Sequence, residues 1–345
     1  MLKRLLAVLL ILCCFGASAL AETLDADQLA TLLRAMEQGS TVDLTDADLT
    51  LNQRRSLVAE YPHLHFQWEQ NMFGLQVTGE DTVLDFTGKN VKDIRLLCDY
   101  LDCFPRVEKV ILYRNTTFLD DKEMLHQRHP NVLFCWDLKV LNHRMLNTEM
   151  TAFSTLNNGA PPYLYSRNLW WVKHCLNLRG LDLGHNMIKE LDFLYDAPKL
   201  KVLILACNKV ADLTPLSCQT ELEYLELFLN DITDVTPLAN LTNLKDLNLC
   251  FNQITDITPL YGLDNLERLW LSWNYGLPQE QIDKMQELHP DLEIVTRSNG
   301  STGDIWLDAN KTPAPGWRTH PRYFVIKQMF ATDTYLPWDA EVPVK

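Results

Sequence analysis

The sequence predicts an α/β solenoid, a horseshoe of stacked coils lined on its concave side by a parallel β-sheet. Two observations lead to this fold class. Leucines recur every 22 residues, at Leu178, Leu200, Leu222, Leu244 and Leu266. Each opens the same phrase, which reads LRGLDLGHN, LKVLILACN, LEYLELFLN, LKDLNLCFN and LERLWLSWN. Such a phrase forms one strand that cannot bury its apolar face alone, so consecutive units must stack around one core.

The phrase L-x-x-L-x-L-x-x-N is the leucine-rich-repeat signature, and the units that carry it should have short outer turns. DLTPL, DVTPL and DITPL follow three of the strands, beginning at Asp212, Asp234 and Asp256. In each, the Asp side chain can cap a single tight turn, and the following Pro presets its φ angle. A full helix is expected only in the last unit, from GLPQEQIDKMQELHP.

Three looser units come before this array and predict helix-bearing, irregular repeats in the N-terminal half. Each has a short strand, a polar turn, a helix, an aromatic residue or His before Pro, and a second strand. Because the first of these strands begins at Val42, we expect the solenoid to begin there. A short amphipathic helix that ends near Gly39 should precede it, and QNMFGLQV can form a hairpin beside the first unit.

These patterns divide the chain into five segments. We expect a signal peptide in 1–21, a helical cap with irregular repeat-like units in 22–141, and a long loop or insert in 142–168. Regular 22-residue repeats and a terminal helical unit should fill 169–297, and 298–345 reads as a linker with an aromatic capping tail. Two questions stay open: whether the insert is functional or a plain loop, and whether the tail covers the concave face.

The N-terminal segment predicts export. Lys3 and Arg4 precede an apolar run, and Ala19-Leu20-Ala21 supplies a small-residue cleavage pattern. The run is shorter than the roughly 20 residues that a spanning helix needs, so the alternative of a retained single-pass anchor is less favoured. The mature chain should be secreted or held in the cell envelope. Cleavage removes two positive charges and moves the formal charge from −14 to −16, which disfavours nucleic acid and anionic lipid as partners.

The sequence indicates no cofactor, metal or catalytic site. No G-x-S-x-G, H-E-x-x-H or phosphate-binding Gly loop occurs. His126, His129 and His143 could gather around a metal ion, but the His-Pro context shared with His289 favours a structural role. Seven cysteines follow the signal peptide without a C-x-x-C pair. One disulfide stays open among three of them, Cys98, Cys103 and Cys135.

The asparagines that end the five repeat phrases are predicted to be structural. Their amides should bond backbone groups of neighbouring coils, the usual way to satisfy buried polar atoms in a turn. This ladder comprises Asn186, Asn208, Asn230, Asn252 and Asn274.

Residues that alternate with the core leucines should face the concave side and are the candidates for binding. Small residues stand there on the first strands, whereas aromatic and charged residues stand on the last three, the usual composition of an interface hot spot. We expect Asp246 and Arg268 to pair across adjacent strands. The alternative is that the tail or the insert covers the patch. The predicted partner-binding residues are Tyr224, Glu226, Phe228, Asp246, Phe251, Arg268, Trp270 and Trp273.

The phrases NDITDVTPLANLTNL and NQITDITPLYGLDNL resemble the repeats of internalins, a family of bacterial surface proteins. The resemblance extends from about Asn177 to Val295. It implies a parallel-sheet horseshoe, secretion by a Gram-positive bacterium and protein binding on the concave face. The helix-bearing N-terminal units differ from that family's usual cap, and no immunoglobulin-like module or wall anchor is recognisable after the repeats. The whole layout is similar to that of secreted leucine-rich-repeat proteins of gut Firmicutes.

Three hypotheses for function arise from these features. The first is an exported, non-catalytic recognition module that binds a protein, peptide or glycan on its concave face. The second is a structural scaffold of the cell envelope that assembles through the same patch or through an uncovered end of the solenoid. The third is a hydrolase with its site in 142–168. The sequence leaves the ligand and the oligomeric state open.

Overall fold

The computed structural model of the protein describes six stretches: residues 26–45, 48–115, 119–140, 145–155, 163–297 and 321–343. The predicted signal peptide and residues 298–320 lie outside them. The chain divides into two compact units, Met1–Asp137 and Leu138–Lys345. No helix within the described stretches is long and apolar enough to cross a bilayer.

The first unit combines short strands with helices. Its helices are α1 (Ala26–Ala35), α2 (Leu51–Glu60), α3 (Ile94–Leu101) and α4 (Leu119–Arg128). Its strands are β1 (Thr41–Asp43), β2 (His65–Gln67), β3 (Glu69–Met72), β4 (Leu75–Thr78), β5 (Val83–Asp85), β6 (Lys109–Ile111) and β7 (Leu133–Cys135). β1 pairs with β2, and β5, β6 and β7 form a three-stranded parallel sheet. The helix-bearing coils that the sequence predicts are therefore confirmed.

Local sequence explains where these helices and turns form. Thr50 and Gln53 make a capping box at the start of α2, in which each side chain accepts a hydrogen bond from the other residue's amide. Asp93 caps α3 through a single hydrogen bond, which its side chain accepts from the amide of Leu96. β3 and β4 form the expected hairpin, and its turn residues Phe73 and Gly74 both have positive φ, as the twist of a two-residue hairpin requires.

One asparagine, Asn115, joins two coils of the first unit by hydrogen bonds and was not predicted from the sequence. Asn115 donates hydrogen bonds to the carbonyls of Phe86 and Tyr113 and accepts one from the amide of Val91. It thus joins two coils through their main chains. Its sequence context, VILYRN, contains the L-x-x-N end of the repeat phrase and was a readable signal.

The second unit is built on a seven-stranded parallel sheet. Its strands in spatial order are β10 (Ala152–Ser154), β11 (Gly180–Asp182), β12 (Val202–Ile204), β13 (Tyr224–Glu226), β14 (Asp246–Asn248), β15 (Arg268–Trp270) and β16 (Glu293–Val295). A small sheet of β8 (Asp137–Lys139) and β9 (Met145–Asn147) precedes it in the chain. Leu181, Leu203, Leu225, Leu247 and Leu269 stand side by side in register and are fully buried. The predicted leucine-rich-repeat solenoid is confirmed.

All five ladder asparagines of the second unit are buried. Four share one bonding pattern, whereas Asn186 donates to the Thr155 hydroxyl in place of a carbonyl of the preceding coil. At Asn230, Nδ2 donates to the carbonyls of Leu205 and Leu227, and Oδ1 accepts from the amide of Val210. Each asparagine therefore satisfies main-chain groups of two coils, which would otherwise be buried without partners. The same pattern recurs at Asn208, Asn252 and Asn274.

The outer side of the repeats consists of short 3-10 turns: Ser166–Asn168, Val172–His174, Asp192–Asp196, Thr214–Cys218, Thr236–Leu238 and Thr258–Leu260. Asp212, Asp234 and Asp256 each accept a hydrogen bond from the amide two residues later, at 2.8–2.9 Å. The last coil instead carries α5 (Gln279–Leu288). Both features agree with the sequence expectation.

The segment expected to be an insert supplies the first strand of the large sheet. β10 pairs in parallel with β11, so the expectation of a loop throughout 142–168 is wrong for this part. In MTAFSTLNN, Phe153 and Thr155 occupy positions that leucines hold in later units. Thr155 also receives a hydrogen bond from Asn186 Nδ2 at 3.1 Å. A degenerate repeat phrase therefore went unrecognised because its core residues are not leucines.

His129 and His289, each followed by Pro, have the structural role that their shared context predicted. His129 Nε2 lies 3.3 Å from the carbonyl oxygen of Cys98, and His289 Nε2 lies 2.9 Å from that of Tyr261. In both cases the imidazole at the end of a helix ties that helix to the preceding coil. His143, the third histidine considered for a metal site, lies outside the described residues.

The C-terminal tail forms helix α6 (Pro321–Thr332) and an irregular segment that continues to 343. The helix ends at Thr332, and the next residue, Asp333, has a φ of 51°. The Asp333 carbonyl accepts a hydrogen bond from the amide of Ala152, and the amide of Tyr335 donates to the Thr151 hydroxyl at 2.7 Å. The tail is therefore attached to the edge strand β10.

Candidate recognition surface

Side chains from separate coils meet on the concave face in the columns that the register requires. Tyr224, Asp246 and Arg268 stand beside one another on β13, β14 and β15. Glu226 and Trp270 belong to the next column on the same strands. Residues that are far apart in sequence thus form one surface, as expected from alternation with the core leucines.

The expectation that this face is open to solvent is wrong for most of the predicted site. Phe251 is half-buried, and Trp273 keeps 41 % of its surface exposed. The cause is the tail, because Val325, Ile326, Met329 and Trp338 pack against the columns in one apolar cluster. The buried site residues are Tyr224, Glu226, Phe228, Asp246, Arg268 and Trp270.

Helix α6 meets the sheet with one side. Arg322, Val325, Ile326 and Met329 follow the i, i+3, i+4, i+7 spacing of residues that share one helix face. The three apolar members are buried. A helix of 12 residues is about 18 Å long, which matches the roughly 19 Å of four strand spacings from β10 to β14. The helix therefore spans most of the concave face.

One end of this covered groove is charged. Arg322 Nη1 lies 3.0 Å from Asp246 Oδ2, and Arg322 Nη2 lies 2.7 Å from Glu267 Oε2. Arg268 Nε lies 3.7 Å from Asp246 Oδ1 and 3.4 Å from Glu293 Oε2. The predicted pair between Asp246 and Arg268 therefore forms. It belongs to a network in which two guanidinium groups meet three carboxylates.

Asp246 is the least favourably placed member of this network. Burial raises its pKa from the usual 3.8 to about 6, because lost hydration outweighs the attraction of Arg268 and Arg322. Among the described residues, its Oδ1 has no hydrogen-bond partner. Covering an incompletely paired carboxylate costs free energy. The tail therefore closes over this end of the face against an electrostatic penalty.

The middle of the groove is aromatic. The Tyr224 hydroxyl donates a hydrogen bond to Glu226 Oε2 at 2.6 Å. The rings of Tyr224 and Trp338 have centroids 5.3 Å apart. Arg322 lies over the Trp338 ring, with Cζ 5.5 Å from the ring centroid. The segment after α6 thus folds back so that Trp338 connects the apolar cluster to the charged end.

The other end of the groove is shaped by small residues. A Cβ atom added at Gly180 would lie 2.7 Å from Met329 Sδ and 3.2 Å from Ala152 Cβ. Ala152 and Ala206 belong to the same buried cluster. The small side chains that the sequence shows on the first strands therefore make room for Met329.

A row of apolar side chains stays exposed beside the covered face. We call Leu229, Phe251, Trp273 and Tyr275 the aromatic ridge. Phe251 and Trp273 are stacked with ring centroids 5.0 Å apart, and Tyr275 meets Trp273 edge-on at 5.7 Å. Leu229 is 46 % exposed and Tyr275 is 86 % exposed. Phe251 also contacts Phe228, so the ridge is continuous with the covered cluster.

Most of the ridge stands on left-handed backbone. The residue before each ladder asparagine has φ between 52° and 64°. Bulky side chains in this region cost on the order of 1–2 kcal/mol, whereas Gly, Asn and Asp adopt it readily. The backbone therefore does not favour the large apolar residues found here. The five residues are His185, Cys207, Leu229, Phe251 and Trp273.

Two residues that define this surface were not predicted from the sequence. Tyr275 lies after the repeat phrase and outside its columns. Arg322 lies in the tail, for which the aromatic content predicted a cap but the spacing of residues was not used. The i, i+3, i+4, i+7 pattern from Arg322 to Met329 was the signal that predicts a docking helix.

The histidines and cysteines considered for a metal site or a disulfide form neither within the described residues. No three His, Cys, Asp or Glu side chains within these residues are grouped so that they could hold a metal ion. The cysteines left open for a disulfide, Cys98, Cys103 and Cys135, are buried and form no disulfide. Burial raises the pKa of the Cys103 thiol to about 12, which keeps it protonated and unreactive.

A charged cluster marks the junction of α2, α3 and α4 in the first unit, beside a cavity of about 620 Å³. Arg55 lies 3.3 Å from Asp99 and 3.0 Å from Asp102, and Arg128 contacts both carboxylates. His129 lies 3.5 Å from Asp102. These groups pair with one another across the helices, so their arrangement is that of an interhelical ion-pair cluster.

A protein-family comparison agrees with the repeats of the second unit. The family of "Leucine Rich repeats (2 copies)" matches residues 176–218, 220–262 and 242–284, so these residues are leucine-rich repeats. Internalin C2 of Listeria monocytogenes is 25% identical, with 64% of this chain and 84% of that chain covered and a TM-score of 0.35. Internalin F of the same organism is 18% identical, with 85% and 87% covered and a TM-score of 0.35. A search of curated proteins found no match.

Proposed function

We propose that this protein is an exported, non-catalytic recognition module that binds a partner protein, with the aromatic ridge as the exposed part of its binding surface. The ridge is the observation that carries the proposal. It presents Leu229, Trp273 and Tyr275 to solvent next to half-buried Phe251. Three of these four residues occupy backbone positions that disfavour them, so their size reflects a use at the surface.

The chemistry of the ridge fits a protein partner. Stacked aromatic rings next to an aliphatic side chain supply contact area at low conformational cost, as interface hot spots do. The parallel coils hold these side chains on a fixed backbone, which suits a solenoid that binds a macromolecule along several repeats. Export is supported by the signal-peptide pattern of 1–21.

Affinity capture with a ridge variant tests the proposal. The tagged chain is used as bait for extracellular proteins, and captured proteins are quantified by mass spectrometry. Trp273→Ser with Tyr275→Ser should lower the recovery of the partner at least about tenfold, since each hot-spot residue contributes on the order of 1–2 kcal/mol. Thermal melting should change little, because Tyr275 is largely exposed and Trp273 is partly exposed.

The matched control is Tyr195→Ser. Tyr195 is 57 % exposed and lies in the 3-10 turn Asp192–Asp196 on the outer side of the repeats. This variant should capture the same proteins as the unaltered chain. If the ridge variant also captures them at full yield, the ridge is not the binding surface.

A further inference from the structure

The tail occupies the concave face as a peptide ligand occupies a receptor. Its helix places an arginine at the acidic end of the groove and three apolar residues along the middle and the small-residue end. Helices that dock in grooves are recognised through this i, i+3, i+4, i+7 set of contacts. The contact residues are Arg322, Val325, Ile326 and Met329.

The groove is not built like a permanent core. Charged side chains are rarely buried in a permanent core, whereas this face buries Glu226, Asp246 and Arg268 beneath the tail. The tail gives Asp246 Oδ2 a partner in Arg322 but leaves Oδ1 without a hydrogen bond among the described residues. Helix α6 is therefore an imperfect ligand, since a helix with a better-placed donor would relieve the penalty of burying this carboxylate.

The chain also has the length that release of the tail requires. Residues 298–320, outside the described stretches, join the last strand to α6 and are rich in Gly, Ser, Thr, Asn and Pro. A connection of 23 residues can reach about 75 Å when extended, so its length is sufficient for the tail to leave the groove while the repeats stay folded.

We propose that the concave face is a receptor groove for an amphipathic helix of a partner protein, and that the tail fills this groove until such a helix displaces it. The partner helix carries an arginine followed by aliphatic or methionine side chains three, four and seven positions later. Arginine is selected by Asp246 and Glu267, and a long, slender side chain at the last position is selected by the space above Gly180. This inference rests on the proposed recognition function and names the partner of its covered part.

A tail peptide added in trans tests the groove. The probe is a fluorescently labelled synthetic peptide of residues 319–343, and its binding to the full chain is followed by fluorescence anisotropy. The unaltered chain should bind it weakly, because its own tail competes. Arg322→Ala in the chain should tighten apparent binding at least tenfold, since a larger fraction of the molecules then has an open groove. Circular dichroism and thermal melting check that this variant folds, and Met329→Ala in the chain is the second way to loosen the tail.

Two glycine variants show where the peptide binds. Gly180→Ala, added to the loosened chain, should weaken peptide binding at least tenfold, because the new methyl group takes the space of Met329 Sδ. Gly262→Ala is the matched control, since a Cβ there meets nothing within 4 Å, and it should leave the affinity unchanged. A peptide that keeps only the four contact residues on an unrelated helical background should bind within about threefold of a tail peptide that ends at residue 333, since both lack Trp338.

Three results would overturn the inference. A folded, loosened chain that shows no saturable binding would make the tail a permanent part of the fold. Equal effects of Gly180→Ala and Gly262→Ala would place the peptide elsewhere. Dimers that exchange tails, detected by light scattering, would make a second copy the occupant instead of a partner protein. The ridge variant should not alter the affinity for the peptide. If the chain fails to bind the peptide but still captures proteins through the ridge, the receptor groove is rejected and the proposed recognition function stands.

Discussion

The two compact units use the same coil plan but close their coils with different outer elements. In the first unit α2, α3 and α4 form the outer side, whereas the second unit mostly uses 3-10 turns. The turn that follows the strand is stabilised in the same way in both units, because Asn115 bonds two coils as the ladder asparagines do. The asparagine at the end of the strand is therefore the common element, and local capping residues decide whether a helix or a 3-10 turn comes after it.

The two units also differ in the number of strands in their parallel sheets. The first unit has a two-stranded and a three-stranded parallel sheet. The second has seven strands in one sheet, and the tail covers the concave face of that sheet. Repetition of a uniform 22-residue coil keeps the strands in register, and register creates a face broad enough to take a helix.

The largest effect should come from breaking the shared asparagine seal. Asn230→Leu leaves the Val210 amide and two leucine carbonyls without their side-chain partner. Since each buried unsatisfied group costs about 1–3 kcal/mol, we expect the free energy of unfolding to fall by about 4 kcal/mol in urea denaturation. Asn115→Leu should cause a loss of similar size if the seal is common to both units.

Asn243→Leu is the control for that comparison. Asn243 is exposed and donates to the carbonyl of Thr220, in the preceding coil, so its replacement should cost under about 1 kcal/mol. If Asn230→Leu leaves the free energy of unfolding unchanged, the ladder asparagines do not stabilise the coils as predicted. A large loss for Asn230→Leu with none for Asn115→Leu would restrict it to the regular repeats.

An intermediate effect should appear in the pH dependence of the covered face. A raised pKa means that folded Asp246 binds its proton more tightly than unfolded Asp246 does. This group therefore lowers stability as pH rises from about 4 to about 6, by up to about 3 kcal/mol for a change of this size. Burial causes this rise in pKa, Arg268 and Arg322 oppose it, and Glu267 adds to it.

The measurement is a difference between two chains. Carboxyls with lowered pKa, such as Asp43 and Glu223, have the opposite pH dependence, so the whole chain mixes both trends. Asp246→Asn removes only the raised group. The stability of the unaltered chain minus that of Asp246→Asn should therefore fall between pH 4 and pH 7. A difference that stays flat would show that the tail does not bury this carboxylate in solution.

The smallest effect belongs to the ion-pair cluster of the first unit. Asp102 contacts Arg55 and Arg128, and all three side chains are about a third exposed. Asp102→Asn should lower stability by about 1 kcal/mol at low salt, and the loss should shrink in 1 M salt because exposed pairs are screened. A loss that does not respond to salt would mean that hydrogen bonding, not charge, holds these helices together.

The repeat phrases were enough to predict the fold of the second unit, because each carries its strand, its buried leucines and its closing asparagine within nine residues. The DxTPL motifs predicted the outer turns for the same reason. β10 escaped prediction because Phe153 and Thr155 replace leucines, although they keep the alternation. The candidate site was predicted only in part. Its columns are observed, but six of its eight residues are buried.

The amino-acid sequence by itself determined the coils, their register and the side of the sheet on which each residue stands. These depend on the local spacing of leucines and asparagine, which recurs in every repeat. Only the tertiary structure decided which of those residues meet water. Arg322 and Asp246 are 76 positions apart, and Tyr335 and Thr151 are 184 apart. Such contacts have no period to read, since they arise when a helix packs on a distant face of matching shape and charge.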